Sequence, residues 1–161
     1  MSRLSEEFGR RYERIDALFF AAVRPGRAIN LGAFDTFRRA LAQALAIEEQ
    51  VLMPALAEHL GARFTAPWRE LKARHENLLT LLVPTPCDDW AGDLRELLDH
   101  HRRQVFRPGG LYPLADVHLA SRAERVLSQA AEVKRVKVAP FQGGVQVRAH
   151  LNELLHEVGV I

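Results

Sequence analysis

Apolar side chains recur at intervals of three and four residues through most of this chain. That spacing places them on one face of a helix, so the chain reads as packed helices. Phe8, Tyr12, Ile15, Phe19 and Ala22 form the first stripe, in a helix expected over residues 5–23. Ser5 stands where an N-cap would, glutamates follow it, and Pro25 and Gly26 end the segment. A second stripe, Phe34, Phe37, Leu41, Leu45, Leu52 and Leu56, runs over residues 33–60 and is closed by Gly61. Pro54 lies inside it and should kink the helix, because its ring removes a hydrogen bond.

A third helix is expected over 67–83, opened by Pro67, with Trp68, Leu71, His75, Leu78 and Leu82 on one face. The turn PTPCDDW follows, and Asp88 or Asp89 can cap a fourth helix over 90–106. Leu94, Leu97, Leu98, His101 and Val105 form its inner face. The RPGG run at 107–110 breaks that helix, and helical patterning resumes over 111–133. Helices of this length joined by short turns predict an all-α fold, an antiparallel up-and-down four-helix bundle over residues 1–133.

Residues 134–161 read differently. KRVKVAPFQGGVQVR alternates valine with polar residues about Gly143 and Gly144, the pattern of a short β-hairpin. HLNELLHEV then reads as a short amphipathic helix. Two strands alone are marginally stable in water, so the hairpin should dock on the bundle or pair with a second chain. The face Leu151, Leu154, Leu155 and Val158 makes a homodimer through this appendage one of the two readings. The basic run KRVK at 134–137 is read as a charged hairpin face rather than a binding patch.

Composition narrows the function classes. The 22 basic and 20 acidic residues leave a net charge of +2, which gives no argument for nucleic acid or an anionic membrane as partner. The single cysteine, Cys87, excludes an internal disulfide and a cysteine-based zinc site. No stretch has the apolar length of a signal peptide or a membrane span, so a cytoplasmic location is the expectation. Neither a phosphate loop, a nucleophile elbow nor a catalytic triad pattern is visible, and no catalytic residue is assigned.

Four polar side chains nevertheless fall on inward faces: Tyr12, Glu49, His75 and His101, one from each of the four helices. Glu49 is read as the inward carboxylate of the leucine stripe, although Glu48 and Glu49 both flank its edge and Glu49 could rotate off it. A buried carboxylate needs a proton or a partner. Each residue has an ordinary explanation, as a hydrogen-bonded core histidine or a packed tyrosine. Together, two imidazoles and a carboxylate could hold one divalent iron, zinc or manganese ion.

Three stretches resemble the hemerythrin-like, or HHE cation-binding, family. They are YERIDALF at 12–19, EEQVLMPAL at 48–56 and HHRRQVFRPGGLYPLAD at 100–116. The resemblance implies a four-helix bundle built for a non-haem di-iron centre, used in oxygen binding or in iron or redox sensing. It assigns Glu49 as the bridging carboxylate, His75 as the third-helix histidine and His101, or His100 in the alternative register, as the fourth. Tyr12, Leu45 and Val105 stand where the other ligands would be. Three of six ligand positions survive, too few to offset the repulsion of two cations. The resemblance therefore implies a degenerate site with no metal or one divalent metal, iron or zinc, in a non-enzymatic binding or regulatory protein. The alternative is a mononuclear metalloprotein using Glu49, His75 and His101, with Tyr12 as a further oxygen ligand.

Overall fold

The structure is a computed structural model that describes residues 3–142 and residue 156, with the side chains of Asp89 and Trp90 left undescribed. It is all-α in its regular structure, and no strand occurs among the described residues. Helix α1 (Arg3–Ala22) precedes α2 (Leu31–Ile47), which runs without a break through a π-helical turn at Glu48–Leu52 into α3 (Met53–Leu60). A 3-10 turn at Gly61–Phe64 leads to α4 (Thr65–Leu81), and α5 (Asp88–Phe106) follows. The last described helices are α6 (Leu111–His118) and α7 (Ala123–Glu132), joined by a 3-10 turn at Ala120–Arg122. None of these helices is long and apolar enough to cross a membrane.

The expected stripes form the core. Phe8, Ile15 and Phe19 of α1 are buried with Phe34, Phe37, Leu41 and Leu45 of α2, Leu78 of α4, and Leu94 and Val105 of α5. Contacts between helices run in opposing order. Phe19 meets the Phe37 ring while Tyr12, earlier on α1, meets Glu48, in the π turn that follows α2. Arg95 of α5 covers the Phe20 ring, and Arg102 pairs with Asp16, one turn earlier on α1.

Local signals explain most boundaries. Asn30 caps α2 by accepting a bond from the Ala33 N–H (3.0 Å). Gly61 ends α3 at a positive φ of 58°, a conformation glycine adopts without strain. Two expected caps are replaced. Ser5 lies inside α1, buried, and binds Asp116 of α6 through both its backbone N–H and its hydroxyl, so it ties two helices together. Cys87, exposed, occupies the N-cap position of α5, with Asp88 opening the helix.

The segment after α7 departs from the expected hairpin. Residues 134–142 carry no strand pairing and run along α2. Side chains of α2 bind the Val136 N–H, Ala139 O and the adjoining Val133 O, and the Gln142 N–H donates to Val83 O (3.0 Å). Gln43 donates to Val133 O (3.1 Å) and accepts from the Val136 N–H (2.9 Å). Buried Arg38 pairs with Asp35 (2.6 Å), donates to Leu82 O (3.1 Å) and Ala139 O (2.8 Å), and stacks on Phe141 (3.8 Å). Side-chain capping here replaces a strand ladder. The turn glycines, the second arm and the dimer face Leu151, Leu154, Leu155 and Val158 lie outside the described residues.

The break between α5 and α6 sets where Tyr112 points. Gly109 takes a φ of 76°, and Gly110 presses onto the last turn of α5. A Cβ at Gly110 would sit 2.5 Å from Gln104 O and 2.8 Å from Val105 O, both backbone atoms that cannot swing aside. Gly110→Ala is therefore expected to destabilise the fold by about 1 to 3 kcal/mol. Urea denaturation would measure it, and wild-type stability in the variant would contradict the packing described.

Candidate metal centre

Pro54 organises the site from outside it. A proline cannot donate the helical bond that the carbonyl four residues earlier would accept. The turn before Pro54 is widened, and the Met53 N–H reaches back five residues to Glu48 O. In a regular helix Glu48 and Glu49 lie on either side of the Leu45–Leu52 line, three and four residues past Leu45. The widened turn resolves that tie. Glu48 is fully buried, with a side-chain exposure of 0%, and Glu49 sits at the rim at 32%. Glu48, not Glu49, is the interior carboxylate. The interior place expected for Glu49 goes to Glu48 because the π turn rotates the helix face between Leu45 and Leu52.

Tyr12, His75 and His101 are where the sequence places them, buried together around that carboxylate. His101 rather than His100 faces the core, and His100 is half-buried at its edge. One residue of the site, Tyr112 of α6, was not singled out beforehand. Its sequence signals are its place in the third motif, 100–116, and on the helical face it shares with Leu111, Ala115 and Leu119, all buried.

The hydrogen bonds assign protons to atoms. Tyr12 and Tyr112 both donate to Glu48 Oε1, at 2.6 and 2.5 Å. The Tyr12 hydroxyl has one proton, committed to the carboxylate, so its oxygen accepts from His101 Nε2–H at 3.0 Å. That leaves His101 Nδ1 as a buried lone pair without a partner. On the other side, His75 donates Nδ1–H to Glu49 Oε1 at 2.9 Å. A carboxylate that orients a histidine in this way is the usual outer partner of a metal-ligating imidazole.

The remaining pair of atoms decides what the cluster can do. His75 Nε2 faces Glu48 Oε2 at 2.9 Å, with an arrangement too oblique for a hydrogen bond, and both atoms are buried without one. His101 Nε2 lies 3.8 Å from the same oxygen. With Nδ1–H fixed on Glu49, a neutral His75 would aim its lone pair at an anionic oxygen. Such a contact needs a positive charge, either a proton on Nε2 or a cation held by both atoms. One ligand atom from each of Glu48, His75 and His101 falls within 4.8 Å of the others. The three residues could hold a single metal ion. Leu45 and Val105, fully packed beside them, supply no donors for a second.

Without metal, the charge states follow from burial against neighbours. Burial raises the Glu48 carboxyl, but the close approach of the His75 imidazole, the charges of His101 and His75, and the Tyr112 donor together bring it below its usual range. Burial opposes the His75 imidazolium, yet Glu48 and Glu49 outweigh it and raise its pKa. His101 is lowered to about 4 by burial, against the pull of Glu48 and with the repulsion of His75, Arg74 and His100. Burial and the Glu48 charge push both tyrosines well above their ordinary value, so they remain donors.

Comparison with family models, with curated proteins and with solved structures gives no match for this chain.

The sign of the His101 effect gives an acid test. The fold holds this imidazole neutral, so the unfolded chain binds more protons between pH 6.5 and about 4. Its contribution is fully present above pH 6.5 and is lost as pH falls towards 4. The loss is on the order of 3 kcal/mol. Urea denaturation of metal-free protein across that window should show falling stability, with a shallower slope in His101→Gln. Equal slopes would mean that His101 is not held neutral. Glu48→Ala should cost about 3 to 5 kcal/mol at neutral pH, since it leaves the His75 charge buried without its main partner; wild-type stability in that variant would show that the carboxylate does not anchor the core.

Proposed function

We propose that this chain is a hemerythrin-like antiparallel four-helix bundle whose di-metal centre is reduced to a site for one divalent cation, held by Glu48, His75 and His101. It is a binding or regulatory protein rather than an enzyme. The carrying observation is the 2.9 Å approach of His75 Nε2 to Glu48 Oε2 with no hydrogen bond between them, while Glu49 fixes the opposite face of the ring. A nitrogen and oxygen ligand set of this kind suits iron or zinc. The bundle reading is supported by the opposed contact order of α1, α2 and α5 and by the motifs at 12–19, 48–56 and 100–116. Glu48 takes the place expected of Glu49 in the second motif, and Glu49 becomes the outer partner of His75.

When bound, the cation would supply a Lewis-acid or redox-active centre. The protein's part is to orient the donors. Glu49 fixes the His75 ring, and the tyrosines occupy Glu48 Oε1, leaving Oε2 free to turn towards the cation. Because His75 carries a raised pKa, cation entry must displace its proton. His101 must carry its own proton on Nδ1 rather than Nε2 to offer the lone pair nearer Glu48. Affinity should rise with pH until the His75 proton is gone.

A second reading keeps the network metal-free, with His75 as an imidazolium between Glu48 and Glu49. Its support is that Tyr12 and Tyr112 already neutralise one carboxylate oxygen by hydrogen bonding. Elemental analysis of protein purified without chelator, followed by zinc and ferrous iron titration, separates the two. The single-cation reading expects up to one ion per chain, loss of binding in His75→Ala, and about 10- to 100-fold weaker binding in Glu49→Gln. Absence of saturable binding, with no thermal stabilisation by either ion, would leave the metal-free network as the function of these residues.

A further inference from the structure

The run KRVK reaches an unexpected place. Docking of residues 134–142 along α2 brings Arg135 beside α1 and closes one wall of a groove of about 470 Å³. Arg11 and Arg14 of α1, Arg39 of α2 and Arg135 rim it, and Ile15 and Leu18 form its apolar floor. No carboxylate is among its described lining residues. Arg39 is answered by Asp35 at 2.7 Å. Arg14 and Arg135, both exposed, have no ion-pair partner among the described residues. Arg11 is half-buried, and its Nε is a buried donor with no acceptor.

Like charges repel, and three guanidinium groups without counter-charge around one recess raise its positive potential. Guanidinium forks match the oxygens of phosphate, and a dianion offsets more of this charge than a monoanion. The volume lies in the range of small-molecule sites, and the pairing of an apolar floor with a few polar groups is their usual make-up. A concave recess in a chain of net charge +2 is not the extended basic stripe that nucleic acid would need. We propose that this groove binds a small phosphorylated compound with an apolar body, the phosphate held by Arg11, Arg14 and Arg135 and the body lying on Ile15 and Leu18. It is a second site, on the outer face of α1 and α2 and separate from the buried Glu48 cluster.

Calorimetric titration of the full chain at low salt with phenyl phosphate tests this, with inorganic phosphate and benzyl alcohol as the two half-ligands. One saturable site with a Kd below about 1 mM is expected. Each half-ligand should bind at least about tenfold more weakly, and binding should weaken as salt screens the arginines. The double variant Arg14→Gln, Arg135→Gln should lose at least about tenfold in affinity, and Arg14→Glu alone should lose as much. Arg69→Gln, an exposed change on α4, should leave affinity unchanged, and thermal melts should show all variants folded. No saturable binding of phenyl phosphate, wild-type affinity in folded Arg14→Glu, or inorganic phosphate binding as tightly as phenyl phosphate would each overturn the proposal.

Discussion

A carboxylate removed from water must be answered by groups of the protein itself, and Glu48 recruits its answers from most of the chain. Tyr12 comes from α1, His75 from α4, His101 from α5 and Tyr112 from α6. Each of those side chains is itself buried and would carry an unsatisfied polar atom if the carboxylate were elsewhere. The network therefore couples the registers of five helical segments. A shift of one helix by a residue would leave several buried polar groups unanswered at once, whereas the surrounding leucines and phenylalanines would tolerate repacking more readily.

The carboxylate reaches that position through a backbone irregularity. The widened turn at Glu48–Leu52, set against Pro54, changes which residue of the acidic pair points inward. It also gives the two glutamates different surroundings within one turn. Glu48 has no contact with water and meets two phenols and two imidazoles, while Glu49 keeps part of its surface exposed and holds the outer nitrogen of His75. The asymmetry of His75 follows from this. One nitrogen has an accepting carboxylate in good geometry, and the other faces a carboxylate oxygen with nothing between them. The same arrangement serves a proton or a cation, which is why metal content is the discriminating measurement.

A second buried charge, Arg38, does for the periphery what Glu48 does for the centre. It joins α2 to the end of α4 and to the segment that follows α7, through two carbonyls, one carboxylate and the face of Phe141. Gln43 adds two backbone contacts a turn and a half further along α2. The segment is thus tied down by α2 side chains at Val136 and Ala139, and by a backbone bond from Gln142 to Val83. Its course along α2 is also what sets Arg135 against the arginines of α1.

The sequence by itself determined the helices and where they break, because these depend on local chemistry: the three-and-four spacing of apolar residues and the breaks at Gly61 and RPGG. It also brought Tyr12, His75 and His101 to interior faces, since each sits well inside its own stripe. Tertiary structure alone decided the rest. Glu48 and Glu49 straddle their stripe almost evenly, so only the π turn and the waiting donors could choose between them. Tyr112 and Ser5 gained their roles from partners 64 and 111 residues away, at distances no local pattern encodes. The first arm of the expected hairpin, residues 134–142, forms no strand for the same reason, because valine alternation describes a strand only where it finds a ladder, and this segment meets side chains of α2 instead.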